Sequence, residues 1–425
     1  MTRPIQIIRH LSKPRLIFVN RVYWPAEAAT AQLLTDLAEG LAARGWPVHV
    51  IAAGDESGPH HGVTIHRTGP GVKHGGLISR TRNYWRFLRG TRRLLAILAQ
   101  PGDVVVLMTD PPMLGAAAAS VASRRGAQIV HWIQDIYPEI VTAHVGALGA
   151  WLLWPLKALR NAAWRSAGCC VALGTDMARA VAAQHVAPGC ITIVPNWAPR
   201  ELQTPPAAAE ITARRTAWGL ADKFIVAYSG NLGRVHEFKA VIEAARILQA
   251  RKDIVFLFIG GGARYAEVRS AVQAGRLDNV RFLPPESRAQ LAAALAAADA
   301  HLVTLRPDFA RLVYPSKLAG VLAAGRPVLF VGPPEGEIAQ LLAREQCGVA
   351  VAPAEGSRLA ETVAQWQGEP GQRGQMGRRA RAVYEKVFRF EPALAQWEHI
   401  LSRVGTAGQV QFAMAASDAV KSPAP

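Results

Sequence analysis

A chain of 425 residues, half of them hydrophobic, can bury a large core, and its length suits two domains. Its 48 Lys+Arg against 31 Asp+Glu give a formal net charge of +17, which excludes an acidic solvating chain and favours anionic partners, whether phosphorylated ligands, anionic lipid or nucleic acid. The excess sits mainly in the first half: residues 1–200 hold 21 basic and 10 acidic side chains, residues 201–425 hold 27 and 21.

No run approaches 18 apolar residues, so no membrane-spanning helix is expected. Met1 to Leu11 shows no secretory pattern. Cys169, Cys170, Cys190 and Cys347 have neither disulfide-framework nor metal-ligand spacing, and read as reduced thiols of a cytosolic protein with no metal site.

In chain order, Arg15 to Val19 suits a buried strand, and the loop from Asn20 to Thr30 carries Tyr23, Trp24 and Glu27. A helix follows on Leu33, Leu34, Leu37, Ala38 and Leu41, and Pro47 to Ile51 is a second strand. Strand, helix, strand at this spacing argues for a parallel sheet covered by helices. His49 in that strand reads as a satisfied core or flanking histidine.

Within 72–100, Arg82, Arg86, Arg89 and Arg93 share one helical face, and Tyr84, Phe87, Leu88, Leu94 and Leu95 the other. Two readings stand: a packed helix with a solvated basic face, or an amphipathic element docking on anionic lipid. Strand Val104 to Met108, the turn Thr109-Asp110-Pro111-Pro112, helix 114–124 and strand Gln128 to Ile133 come next. In open parallel sheets ligands bind beyond the carboxyl ends of the strands, which is where Asp135 and Glu139 fall. An acid there can orient or deprotonate a hydroxyl, or simply cap a helix. Residues 151–166, with Trp151, Trp154, Trp164, Lys157, Arg160 and Arg165, fit a core helix or a second interfacial element. The strands at 170–173 and 191–194 precede a Pro/Ala-rich linker.

The second half repeats the alternation. Phe224 to Tyr228 is a strand, broken by Ser229-Gly230-Asn231-Leu232-Gly233 and followed by helically spaced apolar residues from Phe238 to Leu248. Such a turn presents backbone N–H groups and a helix N-terminus to an anion, and Arg234 adds a fork-shaped cation. An ordinary tight turn is the alternative. Strands Ile254–Ile259 (ending in Gly260-Gly261-Gly262), Val280–Leu283, Ala300–Leu305 and Val328–Val331 follow, with helices at 288–298 and 318–324 and terminal helices within 357–404.

The motifs Tyr228-Ser-Gly-Asn-Leu-Gly-Arg234, Tyr314-Pro-Ser-Lys317 and Ala323-Ala-Gly-Arg-Pro-Val328 resemble the retaining glycosyltransferases of family 4, and among them the group that builds O-antigen and colanic-acid-type exopolysaccharides. Trp24-Pro-Ala-Glu27, Gln134-Asp-Ile-Tyr-Pro-Glu139 and Val194-Pro-Asn-Trp197 fit the same group, so the resemblance spans roughly 15–404. It implies an α/β chain of the GT-B fold, two doubly wound Rossmann-like domains facing a central cleft. Residues 1–198 would bind the acceptor, 199–209 link, 210–385 bind the nucleotide sugar, 386–404 form a terminal helix crossing back, and 405–425 a disordered tail.

The resemblance further implies transfer from a nucleotide-diphosphate donor, foremost a UDP-sugar, to a polyprenyl-diphosphate-linked saccharide, at the inner face of the plasma membrane and with neither metal nor cofactor. Donor contacts carry over to Gly230, Asn231, Gly233, Arg234, Gly261, Ser316 and Lys317, the catalytic acid to Asp135, and acceptor contacts to Glu27 and Glu139. Leu312 and Gly320 stand where many relatives place two glutamates, so the carboxylate expected to hold the donor ribose is missing, and Gln134 stands where many place a histidine. Two other functions compete: a UDP-sugar 2-epimerase of the same architecture, which needs more carboxylates and histidines than the cleft motifs offer, and a basic nucleic-acid binder, for which no recognition signature is present.

Overall fold

The computed structural model describes residues 13–69 and 77–421. The chain divides into two compact units, the first comprising Met1–Ala172, Val181–Val194 and Leu394–Pro425, the second Leu173–Ala180 and Pro195–Ala393.

The first unit is built from β1 (Leu16–Val19), α1 (Ala29–Ala43), β2 (Val48–Ala52), β3 (Gly58–His60), β4 (Val63–Arg67), α2 (Leu77–Leu98), β5 (Val104–Leu107), α3 (Leu114–Arg124), β6 (Gln128–Trp132), α4 (Glu139–Leu152), α5 (Trp154–Arg165), β7 (Cys169–Ala172), α6 (Thr175–Ala182, shared with the second unit) and β8 (Ile191–Ile193). Its sheet runs β3-β4-β2-β1-β5-β6-β7-β8, parallel throughout except for the β3–β4 hairpin. β1, β5 and β7 are buried along their whole length, as strands covered by helices on both faces must be. Strand order reverses direction between β1 and β5, so the loops after these two strands bound the crevice in which such sheets bind ligands. His49 of β2 hydrogen-bonds His66 of β4 (2.9 Å) and is a structural histidine.

The second unit holds α7 (Ala208–Ala217), β9 (Phe224–Ser229), α8 (Lys239–Ile247), β10 (Ile254–Ile259), α9 (Tyr265–Ala274), β11 (Val280–Leu283), α10 (Leu291–Ala297), β12 (Ala300–Thr304), α11 (Lys317–Ala323), β13 (Val328–Val331), α12 (Glu337–Glu345), β14 (Gly348–Val351), α13 (Gly356–Gly368), α14 (Pro370–Val383) and the start of α15 (Phe390–Lys421). All neighbours in its sheet, β11-β10-β9-β12-β13-β14, are parallel, with the switch point between β9 and β12. Alternate residues of β9 and β10 supply Phe224, Val226, Tyr228, Phe256 and Phe258 to one core layer and Ile225, Ala227, Val255 and Leu257 to the other. At the opposite sheet end, Arg326, Arg373 and Arg381 donate to Ala296, Trp366 and Ala323, the last carbonyls of α10, α13 and α11, where a cation offsets the negative end of the helix dipole.

Several expectations need correction. The helix after β9 begins at Lys239, one residue past the first helically spaced apolar residue, but it does not open directly from the glycine turn: the Glu237 carboxylate accepts from the N–H groups of Phe238 and Lys239 (2.8 Å each) and fixes the start there. The expected linker, 199–209, is anchored near its start, where Leu202 is buried and Arg381 donates to the carbonyls of Leu202 and Gln203. Helix α15 continues through 405–421, where alanine-rich sequence has strong helix propensity, in place of the expected disordered tail. The β3–β4 hairpin, α4, α6 and β14 were not anticipated, and the expected start of the basic helix at 72–76 lies outside the described residues.

Candidate active site

The second unit places a lysine against the glycine turn that follows β9. Gly230 (φ +124°) sits so close to Lys317 that a Cβ there would lie 2.8 Å from Lys317 Cε, and a Cβ on Gly260 would fall 2.3 Å from the Gly230 carbonyl oxygen. Only glycine permits both approaches. Lys317 Nζ lies 3.0 Å from His236 Nε2, while His236 Nδ1 lies 2.7 Å from the Thr304 carbonyl oxygen. A carbonyl can only accept, so Nδ1 carries the imidazole proton and Nε2 accepts from the lysine. The ammonium also stands 5.1 Å over the Tyr228 ring. Burial lowers the Lys317 pKa to about 8. Burial, then the Lys317 charge, holds His236 far down at about 3, so it stays neutral.

Around this lysine, Tyr228 Oη donates to the Asn231 carbonyl (2.8 Å), and the Leu232 N–H to the Gly261 carbonyl (2.7 Å). The N–H groups of Asn231 and Gly233 make no backbone hydrogen bond among the described residues. Arg234 and Ser316 are exposed, and the Ser316 hydroxyl caps nothing although it precedes α11. Gly230, Asn231, Gly233, Gly261 and Lys317 thus gather at one end of the sheet. The anion seat is corrected in one respect: Glu237 occupies the N-terminus of α8, so an anion would meet the loop N–H groups and the lysine. A Cβ on Gly320 would be in contact with Leu202 and Leu295.

In the first unit the loops after β5 and β6 bring two carboxylates together. Asp110 accepts from Arg21 Nε (2.9 Å), and burial raises its pKa despite that partner. Asp135 receives no such cation. Burial first, then repulsion from Asp110, push its pKa up to about 6. Thr109, Tyr137 and His131 line a small cavity of about 30 Å³ beside it. His131, sealed in the core, is held neutral by burial with a pKa of about 4.

Glu139 belongs to a different arrangement. Its two carboxylate oxygens take Arg160 Nη1 and Nη2 at 2.7 and 2.8 Å, and that guanidinium also donates to the Tyr137 carbonyl and stacks on Trp164 at 4.0 Å. The fork fixes the start of α4 on α5 and engages both oxygens of the carboxylate expected to contact the acceptor. Arg160→Ala is expected to destabilise the protein by about 1–3 kcal/mol, the cost of lost hydrogen bonds to a charged group, with Lys157 Nζ (3.5 Å) left as a cation beside Glu139; thermal unfolding measures it, whereas Glu139→Gln should leave the KM for acceptor unchanged. Glu27 is exposed, with only its carbonyl engaged, by Gln32 (2.7 Å). Arg21, Arg86, Arg89 and Arg93 line a separate cavity of about 320 Å³ with Thr68 and Gly69. Sequence reasoning missed His236, Asp110 and this basic cavity; a histidine three residues past the second glycine was the available signal for the first.

Two family models match the chain, a glycosyl transferase 4-like domain over residues 29–197 and glycosyl transferases group 1 over residues 211–383. It is 34% identical to the colanic acid biosynthesis glycosyl transferase WcaI of Escherichia coli over 164 residues, 38% of this chain and 39% of that one. It is 27% identical to the glycosyltransferase WbjE of Pseudomonas aeruginosa over 246 residues, 57% of this chain and 61% of that one. The chain therefore spans less than two thirds of either relative's length in the matched stretch. Among solved structures, HepE from Anabaena in complex with UDP superposes with a TM-score of 0.69 at 15% identity, covering 92% of this chain and all of that one.

Proposed function

The chain belongs to the group 1 glycosyltransferases, a two-unit α/β protein of the GT-B fold related to enzymes of surface-polysaccharide synthesis, and from this we propose that it transfers a sugar, with retention of configuration, from a nucleotide-diphosphate donor to a lipid-linked saccharide. The observation that carries the reading is the Lys317 ammonium held on His236 against Gly230. Departure of a nucleoside diphosphate builds negative charge, and a desolvated ammonium, the loop N–H groups of Asn231 and Gly233 and the exposed Arg234 guanidinium can neutralise it without a metal. Ser316 supplies a further donor at the same end of the sheet. UDP is the favoured nucleotide because the HepE structure of the same fold was solved with it.

The acceptor is assigned to the first unit. Asp135, ionised above about pH 6, takes the acceptor hydroxyl's proton, and Glu27 lies in a loop open to a saccharide. The cavity of Arg86, Arg89 and Arg93 suits the acceptor's diphosphate. Among the described residues no helix is long and apolar enough to cross a membrane. Trp85, Trp151 and Trp154, each more than 60% exposed, stand on α2 and at the α4–α5 junction with arginines at 82, 86, 89 and 93, the combination expected of an element resting in an anionic lipid interface at the inner face of the plasma membrane.

Titration calorimetry with UDP and GDP in EDTA tests the donor assignment. Micromolar binding of UDP is expected, and no binding of either nucleotide would overturn it. For the membrane, Trp151→Ala with Trp154→Ala, or Gln at the four arginines, should each reduce co-sedimentation with anionic vesicles at least about tenfold, since each interfacial basic residue contributes about 1 kcal/mol. Unchanged sedimentation of both would exclude this face.

A further inference from the structure

A second constellation lies in the first unit and uses none of the residues assigned to the proposed reaction. It is built where the β3–β4 hairpin meets α1. His61 and Gly62 form the two-residue loop of the hairpin, both at positive φ (+45° and +80°), a turn whose twist matches the antiparallel pairing of His60 with Val63. The loop packs closely on α1: a Cβ on Gly62 would lie 3.2 Å from Ala42 Cβ. This contact brings both histidines over Glu39 of α1. His61 Nδ1 lies 3.2 Å and His60 Nε2 3.5 Å from the same carboxylate oxygen, Glu39 Oε1, and all three atoms fall within 4.8 Å of one another.

Two imidazole nitrogens and a carboxylate oxygen are a donor set for a borderline first-row transition ion. Donor atoms about 2.1 Å from a tetrahedral Zn²⁺ are about 3.4 Å apart, and the two nitrogen–oxygen separations bracket that figure; the two imidazoles stack on each other (centroids 4.1 Å, interplanar angle 18°), so the exposed His61 ring must turn out of that stack to share one ion with His60. His60 and Glu39 are each mostly buried, while His61 is largely exposed and leaves one side open for water as the fourth ligand. The Trp24 ring stacks on His60 with centroids 3.7 Å apart, so the cluster is continuous with the loop that also carries Glu27.

We propose that Glu39, His60 and His61 form a Zn²⁺-class metal site that fastens the β3–β4 hairpin to α1 and, through Trp24, steadies the loop after β1. The ion is structural and takes no part in sugar transfer. A metal clip across two elements stabilises by restricting the open chain and by mass action on the folded state.

The test uses the full, untagged chain stripped with EDTA and dialysed. Titration with Zn²⁺ should show one ion per chain at micromolar affinity or tighter, and Zn²⁺ should raise the melting temperature. Co²⁺ in its place should give the intense visible absorption of a tetrahedral nitrogen–oxygen site. His60→Ala and Glu39→Gln, each checked for intact folding by circular dichroism, should weaken binding at least tenfold and abolish the colour. Absence of stoichiometric binding, or binding undiminished in both variants, overturns the proposal. None of these readouts involves sugar transfer, so their failure and that of the proposed reaction are separable.

Discussion

Lys317→Ala is expected to lower kcat/KM for the nucleotide sugar by about 10²–10³-fold, the scale of losing one preorganised donor to a developing anion, while the melting temperature hardly moves. Little stability is at risk because the wild-type ammonium already bears a desolvation cost, visible in its pKa of about 8. The same pKa sets a pH signature. At pH 7 most Lys317 is protonated, and as pH rises through 8 the free protein loses the charge that a diphosphate needs. Nucleotide affinity in the wild type should therefore fall above about pH 8, with proton uptake on binding in that range. In Lys317→Ala this slope should disappear. Calorimetry in buffers of different ionisation enthalpy reads both effects, and an affinity that neither falls with the substitution nor depends on pH would remove Lys317 from the diphosphate site.

His236→Leu separates the lysine's charge from its placement. The imidazole offers Nε2 as an acceptor only because Thr304 holds its proton at Nδ1. Without that acceptor the ammonium remains but loses its aim, so affinity should drop by about tenfold, the worth of one hydrogen bond to a charged group, less than in Lys317→Ala. Equal losses would mean that the histidine contacts the ligand itself.

How far the sequence could reveal these features follows from the range of the interactions involved. Strands such as Ile254–Ile259 and Val328–Val331 are legible to the residue because both faces are covered, so the apolar run begins and ends with the strand itself. Gly230 and Lys317 are legible as motif members 87 positions apart. The apolar spacing from Phe238 places α8 to within a residue, but not its cap, since only the fold shows Glu237 reaching the N–H groups of Phe238 and Lys239. The β3–β4 hairpin hides in Gly-Pro-His-His-Gly, which has no alternating apolar pattern. The partner of Glu139 is hidden for a related reason: its place beyond a strand end suggests chemistry, and only the tertiary approach of Arg160, on another helix, shows the ion pair its carboxylate makes. Asp135 has the same address and no such partner.

That difference makes Asp135→Asn the second large expectation, with opposite signs for activity and stability. Activity should fall by about 10²–10⁴-fold, the usual contribution of a positioned proton acceptor. Stability should rise at neutral pH. Folded, Asp135 keeps its proton up to about pH 6, whereas in the unfolded chain an aspartate releases it near pH 3.9. Between these values the folded state binds more protons, so the wild type loses stability as pH rises through the interval and bears the whole penalty above about pH 7. Two pKa units correspond to about 3 kcal/mol as an upper bound. Melting temperatures of wild type and Asp135→Asn should therefore coincide near pH 4 and separate by several degrees at pH 7.5, the variant being higher. The wild-type rate should show an acidic limb near pH 6 as the base protonates. If Asp135 instead served the fold, as Glu139 does, the substitution would lower the melting temperature at neutral pH and leave the acidic limb in place. A buried carboxylate that weakens its own unit and makes no ion pair among the described residues is what the proposed role as proton acceptor requires.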